Sequence, residues 1–153
     1  FHQVALSEIS LPSSKLWTFS LLKTQIGYEN YLIQIRNTEH MITLTKFRLS
    51  NHRFEIETGR HRYIDKNKRF CPFCLNLVED EIHFFMDFIS FKTLWEMLFD
   101  EVQTHDRNVN HLSKTNRFIH LSTKSNIISA TARYLHKMFH GRDFILRNHN
   151  NLI

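Results

Sequence analysis

The chain has 153 residues, enough for one domain with a sizeable core, and its 42% hydrophobic content with 14 Phe excludes general disorder. Only three Gly and two Pro are present, too few turn formers for a β-sandwich or barrel and too little glycine for a phosphate-cradling loop. The formal charge of +5 is unevenly placed: between Lys46 and Phe70 eight basic residues face three acids, whereas the remainder carries 12 of each.

No apolar run approaches the roughly 18 residues of a membrane span. The two cysteines form a single Cys-x-x-Cys rather than a disulfide framework, so an intracellular, nuclear or cytoplasmic setting is expected. Neither a membrane nor a small-molecule substrate is an expected partner. The chain opens on Phe1 rather than Met and is read as a fragment.

Taken in order, residues 1–13 read as a flexible terminus in which Pro12 breaks any early helix. Residues 14–23 fit both helical and strand spacing, with helix the preferred reading. Residues 28–36 and 39–49 are helix candidates. In the second, Met41 and Leu44 face the core and Arg48 extends past its edge. Residues 54–58 alternate apolar and polar, as a short strand or extended run would. Residues 62–77 form a compact knuckle, and Asp80 or Glu81 caps a helix beginning near Ile82.

That helix is expected to carry Phe84, Phe85, Phe88, Phe91, Trp95 and Leu98 as one apolar stripe. Further helices are expected over 112–121 and 125–146, the latter with Gly141 as its soft point. The fold class is therefore mostly α: a small helical domain with a short Cys-x-x-Cys knuckle or hairpin between helices. Residues 14–147 form the single domain, the knuckle occupies 69–88, and 148–153 are a flexible tail.

Within the knuckle, Cys71, Cys74 and His83 have the chemistry and spacing of zinc ligands, C-x2-C-x8-H. Pro72 stiffens the turn, and Lys68 and Arg69 favour thiolate. Other readings compete. Cys-Pro-Phe-Cys also resembles a glutaredoxin redox pair, although no βαβ pattern surrounds it. A catalytic Cys–His pair lacks a third group to orient the histidine. Finally, both cysteines can be plain buried apolar residues. His136 and His140, at i and i+4, read as helix surface, and Glu79-Asp80-Glu81 as an acidic helix start.

The segments LTKFRLSNHRFEIETGRH, DKNKRFCPFC and VEDEIHF closely resemble the C-terminal region of LINE-like, non-LTR retrotransposon polyproteins. The flanks SKLWTFSLLKTQIGYENYL and SATARYLHKMFHGRDFIL extend the resemblance over roughly residues 14 to 147. It implies that Cys71, Cys74 and His83 match three of four zinc-ligand positions. Phe88-Ile89 stands where the family has Cys-Pro, and phenylalanine has no donor atom. Asp87, at i+4 from His83, can complete the shell, as can His61 swinging in. The alternative is a degenerate site in which zinc is weakly held or absent.

Paired catalytic aspartates in a strand–turn motif are missing, so no enzymatic activity is expected. The resemblance implies a non-catalytic fragment that binds RNA or DNA phosphates without sequence preference. The expected contacts are Arg53, Arg60, Arg62, Lys66, Lys68 and Arg69. Alternatives are a structural module that packs on the polymerase part of the parent polyprotein, or a decayed remnant. A charge run of this kind is also a common solvated face.

Overall fold

The computed structural model describes residues 15–23 and 27–150, with side chains as far as 148. Residues 1–13 and the 151–153 part of the tail expected at 148–153 lie outside the described residues, whereas 148–150 are helical. The architecture is mostly helical: α1 (Trp17–Leu22), α2 (Tyr31–Gln34), α3 (Thr38–Arg48), α4 (Glu55–His61), α5 (Lys92–His105), α6 (Lys114–Thr123) and α7 (Ile128–Asn150). Between α4 and α5 lie the two cysteines and a five-residue π-helical turn, His83–Asp87. The last helix reaches Asn150, past the boundary expected at 147.

The centre of the domain is the packing of α3 on α7. Asn37 starts α3, its side chain accepting the His40 N–H at 3.0 Å. Leu44 and Phe47 then face inward, opposite Ala132, Leu135 and Met138, all with at most 1% exposure. Phe47 is the hub. Its ring lies 5.9–6.5 Å from Phe54, Phe85, Phe118 and Phe139, mostly edge-on, the geometry aromatic quadrupoles favour. Phe47, Phe54, Phe85 and Phe118 are fully buried and each contributes about 1.5–3 kcal/mol of apolar transfer, while Phe139 is partly buried.

Arg48 does not extend past the edge of this core. It is buried, donating to the Ser122 carbonyl at 2.6 Å and to Glu29 at 3.0 Å, with its guanidinium 4.9 Å from the Tyr31 ring. One side chain thus ties α3 to the end of α6 and to the approach of α2.

Three further expectations are corrected by packing. Residues 54–58 are not extended: Glu55 opens α4, which buries Ile56 and Gly59, and only Phe54 keeps β-type dihedrals. Gly59 is fixed there by Arg69, because a Cβ would sit 2.7 Å from that side chain's Cγ. The aromatic helix is split: after the π turn Phe88 is extended, a 3-10 turn covers Ile89–Phe91, and α5 begins at Lys92. Breaking the helix there lets Phe84, Phe85, Phe88 and Phe91 all be buried. Gly141 is a close-approach site rather than a soft point, since a Cβ would lie 2.8 Å from Phe91 Cε1.

Candidate metal centre and basic segment

The knuckle is built as a very short hairpin. Phe70 and Val78 form an isolated antiparallel bridge, flanked by Cys71 N–H to the Leu77 carbonyl at 2.8 Å and Glu79 N–H to the Arg69 carbonyl at 3.0 Å. The turn closes with the Leu75 N–H on the Cys71 carbonyl at 2.9 Å. Leu75 takes the left-handed φ of 60°, a conformation that costs a leucine about 1–2 kcal/mol. The backbone amides of Phe73 and Cys74 donate to the Cys71 sulfur.

On the other side Asp80 accepts the His83 N–H at 2.7 Å and starts the helical turn. The expectation that Asp80 or Glu81 caps this segment is met by Asp80. The wider π turn lets three successive residues, His83, Phe84 and Phe85, all be buried, with His83 directed at the cysteines.

The donor atoms of Cys71, Cys74 and His83 lie within 4.8 Å of one another. Cys74 Sγ and His83 Nε2 are 3.5 Å apart. A tetrahedral ion with Zn–S of about 2.3 Å and Zn–N of about 2.0–2.1 Å has an S-to-N edge of about 3.5 Å. These three residues are therefore close enough to hold a metal ion. Burial pushes the Cys71 thiol up to about 11 and lowers His83 from its ordinary value. A metal arriving here displaces a proton from Cys71 and meets an already neutral imidazole.

Among the described residues no fourth donor joins the cluster. Phe88 is buried beside the cluster, its ring 4.9 Å from Phe73 and 6.3 Å from His83. Asp87 is outside the cluster and is engaged instead by Lys114 at 2.7 Å. His61 is likewise not a member of it. The phenyl ring joins Phe84 and Phe91 in the core packing.

Glu79 and Glu81, read from sequence as part of an acidic helix start, are buried clasps. Both Glu79 oxygens accept from Arg142, at 2.8 and 2.9 Å, and one also takes the Glu55 N–H at 2.7 Å. Arg142 continues to the Arg53 carbonyl at 3.1 Å and stacks over Phe54. Glu81 accepts from Ser50 at 2.5 Å and bonds His52 at 2.9 Å. Burial alone would raise the Glu81 pKa, but the His52 and Ser50 bonds outweigh it and hold the carboxyl below its ordinary range. Two carboxylates thus fasten the knuckle to α3, α4 and α7.

The six expected phosphate contacts separate into two groups. Arg69 is part of the scaffold, donating to the Ile64 and Ile56 carbonyls at 2.8 and 2.7 Å. Arg60 is held through Nε and Nη2 by Glu57, whose side chain is only 6% exposed. Arg53, Arg62, Lys66 and Lys68 are exposed. Of these, Arg62 pairs with Glu55, Lys68 with Asp65 at 3.5 Å, and Lys66 lies 5.3 Å from the Trp17 ring.

His136 is not simple helix surface. It bonds Thr43 at 3.0 Å and packs between His40 and His140, with ring centroids 5.0 and 4.4 Å away. Among the described residues these histidines do not form a metal-type cluster. No helix of the described residues is long and apolar enough to cross a membrane. Comparison with protein-family models, curated proteins and solved structures finds no match for the chain.

Proposed function

We propose that the chain is a non-catalytic nucleic-acid-binding domain, resembling the retrotransposon C-terminal region, in which a zinc ion held by Cys71, Cys74 and His83 braces a basic loop. The observation that carries this reading is Tyr63. Its ring is 96% exposed at a positive φ of 56°, on a loop flanked by Arg62, Lys66 and Lys68. A tyrosine presented this way stabilises nothing inside the domain, whereas an exposed ring among cations can stack on an unpaired base while the cations meet phosphates.

The ion pairs of the loop do not oppose this reading. Lys68 and Asp65 are 66% and 73% exposed, and an exposed pair is worth at most about 1 kcal/mol. A polyphosphate competes readily with such a partner. Zinc supplies only a cross-link between turn and helix here, weaker than a four-ligand site because the protein offers three donors.

Affinity for a single-stranded oligonucleotide tests the reading. It should fall steeply with salt, and Tyr63→Ala should weaken it by roughly 1–3 kcal/mol, the worth of one stacked base. Salt-insensitive affinity that survives Tyr63→Ala would overturn it.

A second reading, a surface that docks on the polymerase, is favoured by one feature. Leu75 at the knuckle tip is 71% exposed and conformationally strained, with Leu77 and Phe70 beside it at 48% and 44%. Binding through these residues would be insensitive to salt.

A further inference from the structure

Two grooves run along the seam between α3 and α7 and share Lys46, Phe139 and Asp143. One of them, of about 330 Å³, is also lined by Arg53, Phe54 and Arg142. That volume is near the lower end for small-ligand sites, roughly 300–1,000 Å³.

The cations of this groove differ from those of the basic loop. Lys46 and Arg53 are exposed, and among the described residues neither side chain has an ion pair or hydrogen bond. Arg142 is the opposite: its side chain is 4% exposed and is held by Glu79 and the Arg53 carbonyl through Nε and Nη2. Its Nη1 is left without a partner, on a guanidinium that cannot turn away. Asp143 is the one carboxylate among the lining residues; with Arg142 paired to Glu79, Lys46 and Arg53 leave the lining positive. Phe54 and Phe139 supply an apolar wall.

We propose that this groove is a second contact surface, a seat for a phosphate group of single-stranded nucleic acid. Arg142 Nη1 is the fixed donor, Lys46 and Arg53 close on the anion, and the phenylalanine wall lies against the adjoining sugar or base. A rigid buried guanidinium with mobile flanking cations suits a phosphate anion, whose non-bridging oxygens accept from more than one donor at once. The nucleic-acid source of the phosphate rests on the function proposed above; the phosphate seat itself does not.

The test is amide-resolved NMR titration of the whole chain with inorganic phosphate, then with a decamer of oligouridine. The Lys46→Ala/Arg53→Ala double variant is compared with wild type; both side chains are exposed, so the variant keeps its fold. In wild type, phosphate should move the Lys46, Arg53 and Arg142 signals, and the double variant should need at least fivefold more phosphate. The oligouridine affinity of the double variant should drop about tenfold, and the slope of its logarithm against log salt should become shallower by roughly 0.7, the share of one single-strand phosphate. Phosphate that moves none of these signals, or acts equally on both proteins, overturns the seat. Phosphate bound here while oligouridine ignores the groove keeps the seat and removes nucleic acid as its source.

Discussion

The knuckle and the α3–α7 bundle are held together by different physics. In the bundle, apolar rings pack around Phe47, and no single contact dominates. In the knuckle, the tip residues Leu75 and Leu77 are exposed, and cohesion comes from a few polar fasteners: the Glu79–Arg142 clasp, the Glu81–Ser50–His52 bonds and three potential metal ligands. Distributed apolar packing tolerates the loss of one part. A polar fastener does not, because the partner left behind is buried and uncompensated. Beside the cluster, the Phe88 ring packs against Phe73, Phe84 and Phe91, so apolar contacts hold that corner of the knuckle.

The largest effect should come from cutting the clasp. Arg142→Leu leaves the fully buried Glu79 without its cation, and should cost about 3–5 kcal/mol in urea unfolding. A loss below about 1 kcal/mol would mean that the knuckle is carried by the bundle's apolar packing after all. A smaller cost is expected at the bundle's own close approach. Gly141→Ala gains about 1 kcal/mol of helix propensity but forces a methyl group to 2.8 Å from Phe91, an overpacking of roughly 1–3 kcal/mol. The net should be a modest destabilisation, read as a lower thermal midpoint; a higher midpoint would show that the Phe91 ring moves aside freely.

The smallest effect concerns protons. Burial lowers His136, helped by the charges of His140 and His40 and opposed by Glu39. Its folded pKa is therefore below the unfolded value of 6.5, so the unfolded chain takes up protons first as pH falls. The stability this neutral imidazole contributes is present above pH 6.5 and declines on acidification below it. His136→Gln should flatten the pH dependence of the thermal midpoint between about pH 7 and pH 5, a smaller change than either substitution above. An unchanged slope would place that pH dependence elsewhere.

Much of this arrangement was legible in the sequence, and what was not had identifiable causes. The 3.6-residue spacing in α3 and α7 and the cap at Asp80 are local signals, and they lead to the right elements. The cysteine and histidine spacing was equally readable, because Cys-x-x-Cys closes on itself and His83 follows a short hairpin. Residues 54–58 misled, since Phe-Glu-Ile-Glu alternates like a strand, while the outcome depends on Glu79 receiving the Glu55 N–H and Arg69 covering Gly59. The roles of Glu79, Glu81 and Arg142 were hidden for the same reason. Their partners are 24 to 89 residues away, and charge in a sequence does not announce burial. Tallying cations between Lys46 and Phe70 located the positive segment but could not separate Arg69, which is scaffold, from Arg53, which is free to bind.

Metal analysis with cobalt(II) as a spectroscopic stand-in tests most directly whether the knuckle holds an ion on a scaffold that does not require it. Wild type should bind one cobalt with the sulfur-to-metal absorption of two thiolates, keep its helical circular dichroism when chelator removes the ion, and bind far more tightly once Phe88→Cys supplies a third thiolate. Loss of helix on chelation, or no uptake of cobalt or zinc by wild type, would contradict the account.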